Sequence, residues 1–223
     1  MSGTTLAAMR IVIAGAHGQI GIRLARLLAA RGDEVIGLIR NPRHAADIEA
    51  AGATAVVCDL EHASVAQLAE ATSGADVAVF AAGAGPGSGA ERKLTMDRDG
   101  AIKLLQATEA SRARYLVVSS VGAESPPSGD DVFQVYLRAK AEADAAVTAS
   151  DRAWVILRPG PLTDDPGTGR VRLETTPFRD AVTRADVAAV LEAIIAAPAL
   201  DRTILYLANG DLAIDQALSA VRA

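Results

Sequence analysis

Residues 10–21 read RIVIAGAHGQIG, and this stretch decides the fold of the 223-residue chain. An apolar run at 11–14 is typical of a buried strand and ends abruptly in a glycine-rich turn. Residues 20–28, IGIRLARLL, then carry apolar side chains at helical spacing. A strand, a glycine turn and a helix in this order form a site for phosphate, because a helix N-terminus presents free N–H groups and a partial positive charge.

The three glycines of the turn follow the pattern G-x-x-G-x-x-G. The dinucleotide fingerprint G-x-G-x-x-G differs from it in the first spacing, but the physical roles transfer. Gly15 permits the tight turn, Gly18 lets the backbone approach a pyrophosphate, and Gly21 lets the helix pack close to the strand. His17, inside the turn, is interpreted as a solvent-facing loop residue with no catalytic role.

Apolar strands alternate with helical patterns along the rest of the chain, which predicts an α/β fold with a doubly wound parallel sheet and helices on both faces. We expect a tail at 1–9, one domain at 10–223 and a small C-terminal extension on the substrate side, with 159–182 in the pocket. The predicted strands are 34–39, 54–58, 76–82, 115–119, 154–157 and 203–207, the predicted helices 42–51, 64–71, 91–111, 132–149, one from 183 and one near 212–221, and 159–180 is predicted as loop.

Composition excludes several classes of partner. The net charge is −5 with no basic block, which argues against nucleic acid or an anionic membrane surface. The histidines 17, 44 and 62 are far apart and have no ligand partners at metal spacing. We expect a cytoplasmic protein for three reasons. The chain has a single cysteine, Cys58, residues 1–9 do not form a signal peptide, and no apolar run reaches the ~18–20 residues that a membrane span needs.

The end of the second predicted strand carries Arg40 and Arg43, where an NAD-binding fold would carry a carboxylate for the ribose 2′-hydroxyl. Guanidinium groups suit phosphate oxygens, so the sequence predicts recognition of the 2′-phosphate of NADP. At the end of the third strand, Asp59 and Leu60 flank an adenine ring, or Asp59 caps the next helix. Both interpretations stay open at this point.

Tyr136 and Lys140 lie four residues apart and so share one face of a predicted helix. An ammonium group near a phenol favours the phenolate, which makes the pair usable for general acid catalysis on a carbonyl. The lysine can also hold a ribose hydroxyl. Ser119 and Ser120 end the fifth strand, and either one can polarise the same carbonyl.

Together these residues resemble the short-chain dehydrogenase/reductase superfamily, and more closely its atypical NmrA-like and biliverdin-reductase-B-like NAD(P)H-binding members. The likeness covers residues 10 to about 218. It rests on the segments GAHGQIG, LIRNP, CDL, AAGAG, DRDGA, VVSSVGA, YLRAK and RPGPLTDDPGTG.

The resemblance implies a Rossmann-type fold and a Ser-Tyr-Lys triad formed by Ser120 (or Ser119), Tyr136 and Lys140. The cofactor residues expected from the turn, the strand ends and the resemblance are Gly15, His17, Gly18, Gln19, Ile20, Gly21, Arg40, Arg43, Asp59, Leu60, Ala81, Ala82, Gly83, Ser119, Lys140, Pro159, Gly160 and Leu162.

We therefore expect an NADP-dependent oxidoreductase, monomeric or homodimeric, that moves a hydride between NADPH and a small carbonyl, quinone or flavin. A non-catalytic NADP-binding redox sensor is a different class that the same residues allow. A sugar-nucleotide epimerase or dehydratase ranks last, because 223 residues leave little room for a full sugar-nucleotide domain.

Overall fold

The computed structural model describes residues 7–85 and 87–222. Its strands are β1 (Arg10–Ala14), β2 (Glu34–Ile39), β3 (Thr54–Val57), β4 (Val77–Phe80), β5 (Arg114–Val118), β6 (Trp154–Pro159), β7 (Leu162–Thr163), β8 (Arg170–Glu174), β9 (Val182–Thr183), β10 (Thr203–Asn209) and β11 (Leu212–Ala213). Its α-helices are α1 (Gln19–Arg31), α2 (Ala45–Ala50), α3 (Val65–Ala71), α4 (Ala90–Arg92), α5 (Ala101–Ala107), α6 (Val132–Thr148), α7 (Arg184–Ile195) and α8 (Ile214–Ala220).

Within these ranges the main sheet has nine strands in the order β11-β8-β10-β6-β5-β4-β1-β2-β3. The strands from β3 to β10 in this order pair in parallel. The chain starts at β1 and winds first towards β3, then returns to β4 and winds the other way. The predicted doubly wound α/β fold is thus confirmed, with its switch point between β1 and β4.

Side chains of the central strands alternate between two apolar layers. Ile11 and Ile13 face the layer that contains α1, α2, α7 and α8. Val12 and Ala14 face the layer that contains α3, α5 and α6. Burial on both faces explains why these strands read as continuous apolar runs rather than as alternating patterns.

The prediction of loop at 159–180 was wrong for part of the segment. Strand β8 lies there and pairs antiparallel with β10 and β11, so the sheet is not purely parallel. Its Val171 and Leu173 are buried, whereas Arg170 and Arg172 are exposed. Only two apolar residues alternate with charges, and so short a pattern between Pro, Gly and Thr does not stand out in the sequence.

The helix predicted at 91–111 ends earlier and is not uniform. A π-helical segment, Lys93–Gly100, joins α4 to α5, and α5 ends at Ala107. A Cβ atom on Gly100 would lie 3.6 Å from the Phe80 ring and 3.4 Å from the Met96 sulfur, so the π-helical segment packs against β4 at ordinary van der Waals distances. A 3₁₀ turn, Pro42–His44, similarly opens the helix predicted at 42–51.

The N-terminal tail was predicted over residues 1–9, and residues 1–6 lie outside the described ranges. The backbone N–H of Met9 donates to Asp33 Oδ1 over 3.0 Å, and its carbonyl accepts from Glu34 N over 2.9 Å. In the described part of the chain, no helix is both long enough and apolar enough to cross a membrane.

A substitution at Gly21 tests how closely the glycine turn packs against α1. A Cβ atom there would lie 2.9 Å from Ala16 Cα and would also meet the Gly15 carbonyl oxygen. We expect Gly21→Ala to lower the free energy of unfolding by about 1–3 kcal/mol through overpacking. Urea denaturation measures the loss. Gly89→Ala is the control, since a Cβ there meets no atom within 4 Å, and an equal loss in both variants would contradict this account.

Candidate functional site

The glycine turn lies at the switch point of the sheet. Gly15 has a φ of +79°, which side chains disfavour, and a Cβ on it would lie 2.6 Å from both Cα and N of Ala82. The turn therefore lies directly against the chain segment that leaves β4. Gly18 is the N-cap of α1 and provides no side-chain cap, so the first N–H groups of the helix remain available to an anion.

Two cavities meet at the carboxyl ends of the strands and share residues 81–83. The turn-side cavity has a volume of about 610 Å³ and is lined by the glycine turn and the ends of β2 and β3. The tyrosine-side cavity has a volume of about 500 Å³ and lies between the ends of β4 and β5 and helix α6. The sheet edge thus offers one continuous cleft.

The structure brings most of the predicted residues to this cleft. The turn-side cavity is lined by nine of them, Gly15, His17, Gly18, Arg40, Asp59, Leu60, Ala81, Ala82 and Gly83. The tyrosine-side cavity shares the last three and adds Ile20, Ser119, Tyr136, Lys140 and Leu162.

Other predicted residues lie outside these two cavities. Gln19 is exposed on the first turn of α1 and bonds Arg23, while Gly21 is buried beneath the turn. Arg43 lies on the 3₁₀ turn, exposed, with its backbone N–H on Asn41. A third cavity, of about 460 Å³, is lined by the remaining three residues, Ser120, Pro159 and Gly160, and also by Ser119, Tyr136 and Leu162.

Arg40 reaches the turn-side cavity together with a second arginine that the sequence analysis missed. Arg92, from α4, donates from Nε and Nη2 to Glu61 Oε2, each over 3.0 Å. Arg40 Nη1 lies 3.5 Å from the same oxygen. Burial acts to raise the pKa of Glu61, but the hydrogen bonds from Arg92 and Thr95 outweigh it and lower the pKa. An ionised carboxylate thus lies between two guanidinium groups.

His17 is more constrained than a solvent-facing loop residue. Its ring stacks on that of His44 with centroids 3.6 Å apart, and its Nε2 lies 2.9 Å from Asp47 Oδ2. Both histidines line the turn-side cavity. The side chain remains 36% exposed, so the stack forms part of the cavity wall.

Asp59 had two interpretations, and the structure excludes the helix-cap one. Its Oδ1 accepts from the backbone N–H of Glu61 over 3.0 Å, which closes a local turn. Helix α3 is capped instead by Ser64, whose hydroxyl accepts from Gln67 N in a capping box. Asp59 is therefore not the cap of α3, and its position on the cavity wall agrees with the adenine-flanking interpretation.

Tyr136 and Lys140 lie on one face of α6, as predicted. The Lys140 ammonium is buried, donates to the Val118 carbonyl over 3.0 Å and lies 3.3 Å from Asp97 Oδ1. Burial acts to lower the pKa of Lys140, but the charges around it, with Asp97 the largest, raise the pKa above its ordinary value. Lys140 is therefore a fixed positive charge, and its Nζ lies 5.8 Å from the centroid of the Tyr136 ring.

A second lysine near Tyr136 was not anticipated. Lys93, at the start of the π segment, is buried and donates to the Gly85 carbonyl over 2.8 Å. Its Nζ lies 5.5 Å from the centroid of the Tyr136 ring. Two ammonium groups therefore approach this phenol, one from α6 itself and one from the helix before it. No sequence spacing links Lys93 to Tyr136, so only the tertiary fold reveals the pair.

The two candidate serines differ in their surroundings. Ser119 is buried, lines the tyrosine-side cavity and donates its hydroxyl to Asp144 Oδ2 over 2.7 Å. Ser120 donates to the Val121 carbonyl over 3.1 Å and faces the third cavity. Burial raises the pKa of Asp144, although Arg158, whose Nη2 donates to it over 2.9 Å, opposes this. Ser119 thus belongs to a buried polar network behind Tyr136.

A family model described as NAD(P)H-binding matches residues 15–198. The chain belongs to this NAD(P)H-binding family. The match begins at the first glycine of the turn and includes both cavities of the cleft. A nicotinamide cofactor is therefore the ligand class that the family model indicates for this chain.

Three proteins show how far the likeness extends. A Bacillus subtilis protein named an uncharacterized sugar epimerase, YhfK, is 35% identical over 212 residues, which are 94% of this chain and 99% of that protein. The structure of a Bacillus halodurans protein, provisionally named an NAD-dependent epimerase/dehydratase, has a TM-score of 0.89 at 31% identity, over 96% of this chain and 100% of that chain.

The third protein, ChuY from Escherichia coli O157:H7, is described as an anaerobillin reductase. Its TM-score is 0.76 at 25% identity, over 91% of this chain and 98% of that chain. These findings confirm the resemblance to the atypical short-chain dehydrogenase/reductase group with NmrA-like and biliverdin-reductase-type members. The chain thus belongs to an oxidoreductase-like family whose members carry both reductase and epimerase names.

Gly18 allows the glycine turn to be tested without disturbing the fold. Its backbone is extended, and a Cβ would meet only the Gly15 oxygen, at 3.0 Å. We expect Gly18→Val to stay folded and to weaken NAD(P)H binding by more than about tenfold, because charge-assisted bonds to phosphate contribute ~1.5–3 kcal/mol each. Cofactor fluorescence titration measures the affinity.

Gly89 provides the matched control for this experiment, since it is also a helix N-cap with an extended backbone, at α4. Gly89→Val should bind NAD(P)H as the wild type does. Unchanged affinity in a folded Gly18→Val variant would mean that the turn does not hold the pyrophosphate.

Proposed function

We propose that this protein is an NADPH-dependent reductase that transfers a hydride to a small carbonyl, quinone or flavin. The observation that carries the proposal is the single cleft across residues 81–83, with two arginines at one end and Tyr136 close to two lysines at the other. NADPH is a molecule of this kind, with a 2′-phosphate near its adenine end, a pyrophosphate in the middle and a reactive nicotinamide ring at the other end.

The cleft has features that fit NADPH. The close approach of Gly15 to Ala82 leaves no room for a side chain where the pyrophosphate would pass. Arg40 and Arg92 supply guanidinium groups at the end of β2, where a 2′-phosphate would lie. NADPH, when bound, would supply the hydride.

Tyr136 is the proposed proton donor. Carbonyl reduction adds one hydride to the carbon and one proton to the oxygen, and leaves an alcohol and NADP⁺. Lys140 cannot move freely, because it is held by Asp97 and the Val118 carbonyl, so its proposed role is to fix a positive charge behind the phenol. Lys93 is not a member of the expected Ser-Tyr-Lys triad. Its proposed role is to stabilise the negative charge that develops on the substrate oxygen.

Ser119 is the serine that we propose to assist Tyr136, because it shares the tyrosine-side cavity with it. Its hydroxyl proton is committed to Asp144, so its oxygen is left as an acceptor on the cavity side. It would orient the Tyr136 hydroxyl rather than donate to the substrate.

The two arginines that follow β2 make cofactor preference testable. Arg40→Gln should weaken NADPH binding by about 10- to 100-fold and NADH binding far less, since only NADPH carries the extra phosphate. Arg43→Gln is a matched control, because Arg43 does not line the cavity. Titration of both cofactors measures the effects, and equal wild-type affinities for NADPH and NADH would contradict the preference.

Tyr136→Phe tests the chemistry. General acid catalysis contributes about 10²–10⁴-fold in rate, so turnover of an aldehyde should fall by that order while NADPH affinity stays the same. Stopped-flow measurement of NADPH oxidation gives the turnover, and fluorescence titration gives the NADPH affinity. A flavin needs no strong proton donor in the hydride step, so full activity of the variant with a flavin and with aldehydes would remove Tyr136 from the mechanism.

A sugar-nucleotide epimerase is the second candidate, favoured by the names of the Bacillus subtilis and Bacillus halodurans relatives. Epimerisation by hydride removal and return leaves no net oxidation of the cofactor. Net consumption of NADPH with quinones, flavins or aldehydes supports the reductase. Interconversion of a sugar nucleotide without net consumption supports the epimerase, and binding without any turnover supports the redox sensor.

A further inference from the structure

The third cavity, which we call the arginine-side cavity, is lined by Tyr136 but not by Lys93. It has a volume of about 460 Å³ and is lined by Tyr136, Leu162, Arg179 and Arg184 among others. Tyr136 and Leu162 also line the tyrosine-side cavity. A molecule with its carbonyl at Tyr136 can therefore extend one end into the arginine-side cavity.

The chain segment that carries Arg179 is held firmly against the cavity floor. The backbone N–H of Val182 donates to the Pro161 carbonyl over 2.9 Å, and β9 pairs in parallel with β7. A Cβ on Gly160 would clash with the Asp180 carbonyl oxygen, so the two backbones lie in direct contact at that point. The backbone between the two arginines is thus fixed by these contacts.

The charges at the cavity are unbalanced. None of its lining residues is a carboxylate. Arg184 Nη1 donates to Asp164 Oδ1 over 2.9 Å, but Asp164 is 61% exposed and does not line the cavity. Among residues 7–85 and 87–222, Arg179 has no salt-bridge partner within 4.0 Å. Within the described ranges, only Arg184 of the two arginines therefore has a carboxylate partner, and that partner is solvent-exposed.

We propose that Arg179 and Arg184 bind an anionic group of the substrate, a carboxylate or a phosphate, beside the carbonyl that Tyr136 protonates. Guanidinium groups bind both kinds of oxyanion through paired N–H donors. The substrate class is then an anionic carbonyl compound rather than a neutral one. This inference rests on the proposed reductase activity for its catalytic readout, and binding provides a readout that does not.

The test compares matched aldehydes with and without the charge. The carboxylate pair is 4-carboxybenzaldehyde and methyl 4-formylbenzoate, and the phosphate pair is 4-formylphenyl phosphate and 4-methoxybenzaldehyde. We expect kcat/KM with NADPH to favour the charged member of at least one pair by about 10- to 100-fold, as charge-assisted hydrogen bonds allow. The pair that shows the preference identifies the anion.

Arg179→Gln and Arg184→Gln, singly and together, should reduce that preference towards one, mainly through KM. Arg26→Gln is the control, since Arg26 is exposed on α1 and lines none of the three cavities. Thermal unfolding verifies that each variant is folded. Equal kcat/KM within both pairs, or a preference that survives in the double variant, would overturn the proposal.

Binding separates this inference from the reductase proposal. Calorimetric titration of the two charged aldehydes into the NADP⁺-saturated protein measures affinity without turnover. If none of the four aldehydes is reduced, the reductase proposal fails for aldehydes. Binding that is then lost in the double arginine variant still supports the anion site, and absence of binding by both charged aldehydes overturns it.

Discussion

The direct contact between the backbone of the glycine turn and the chain after β4 is the constraint on which the site depends. Gly15 approaches Ala82 so closely that a single methyl group would separate them. This contact brings together the carboxyl ends of β1 and β4, where the winding of the sheet reverses. The cleft lies in the gap that this reversal opens, and both of its cavities contain residues 81–83.

Buried charge fixes the opposite wall of the cleft. A buried ammonium is costly unless it is paired, and Lys140 finds its partners in Asp97 and the Val118 carbonyl. These three groups come from α6, the π segment and the end of β5. Pairing the charge therefore locks three elements together, and Tyr136 takes its position from that lock, one helical turn before Lys140.

The sequence was sufficient for the fold and for those site residues that belong to local patterns. Gly15, Gly18 and Arg40 follow strand ends, and Tyr136 and Lys140 share a helix face, so spacing alone finds them. Glu61 and Lys93 belong to no such pattern, because they meet the site only through tertiary packing.

Two further features escaped prediction for physical reasons. Strand β8 lies second from the edge of the sheet and has only two buried residues, too few to give a clear periodicity. Ser119 and Ser120 are adjacent on a strand end, and consecutive strand residues point to opposite sides. Which serine shares a cavity with Lys140 depends on where the strand ends. If the predicted end is wrong by one residue, the prediction names the other serine.

Glu61 gives the turn-side cavity an internal counterion. Its carboxylate holds Arg92 and lies beside Arg40, so the two guanidinium groups remain close together without an external anion. The two arginines therefore do not have to be brought together against their mutual repulsion when a ligand arrives. A phosphate that binds there as proposed would displace a carboxylate rather than bulk water. The free energy of that exchange would be smaller than that of binding to bare arginines, so the ligand would also leave more readily.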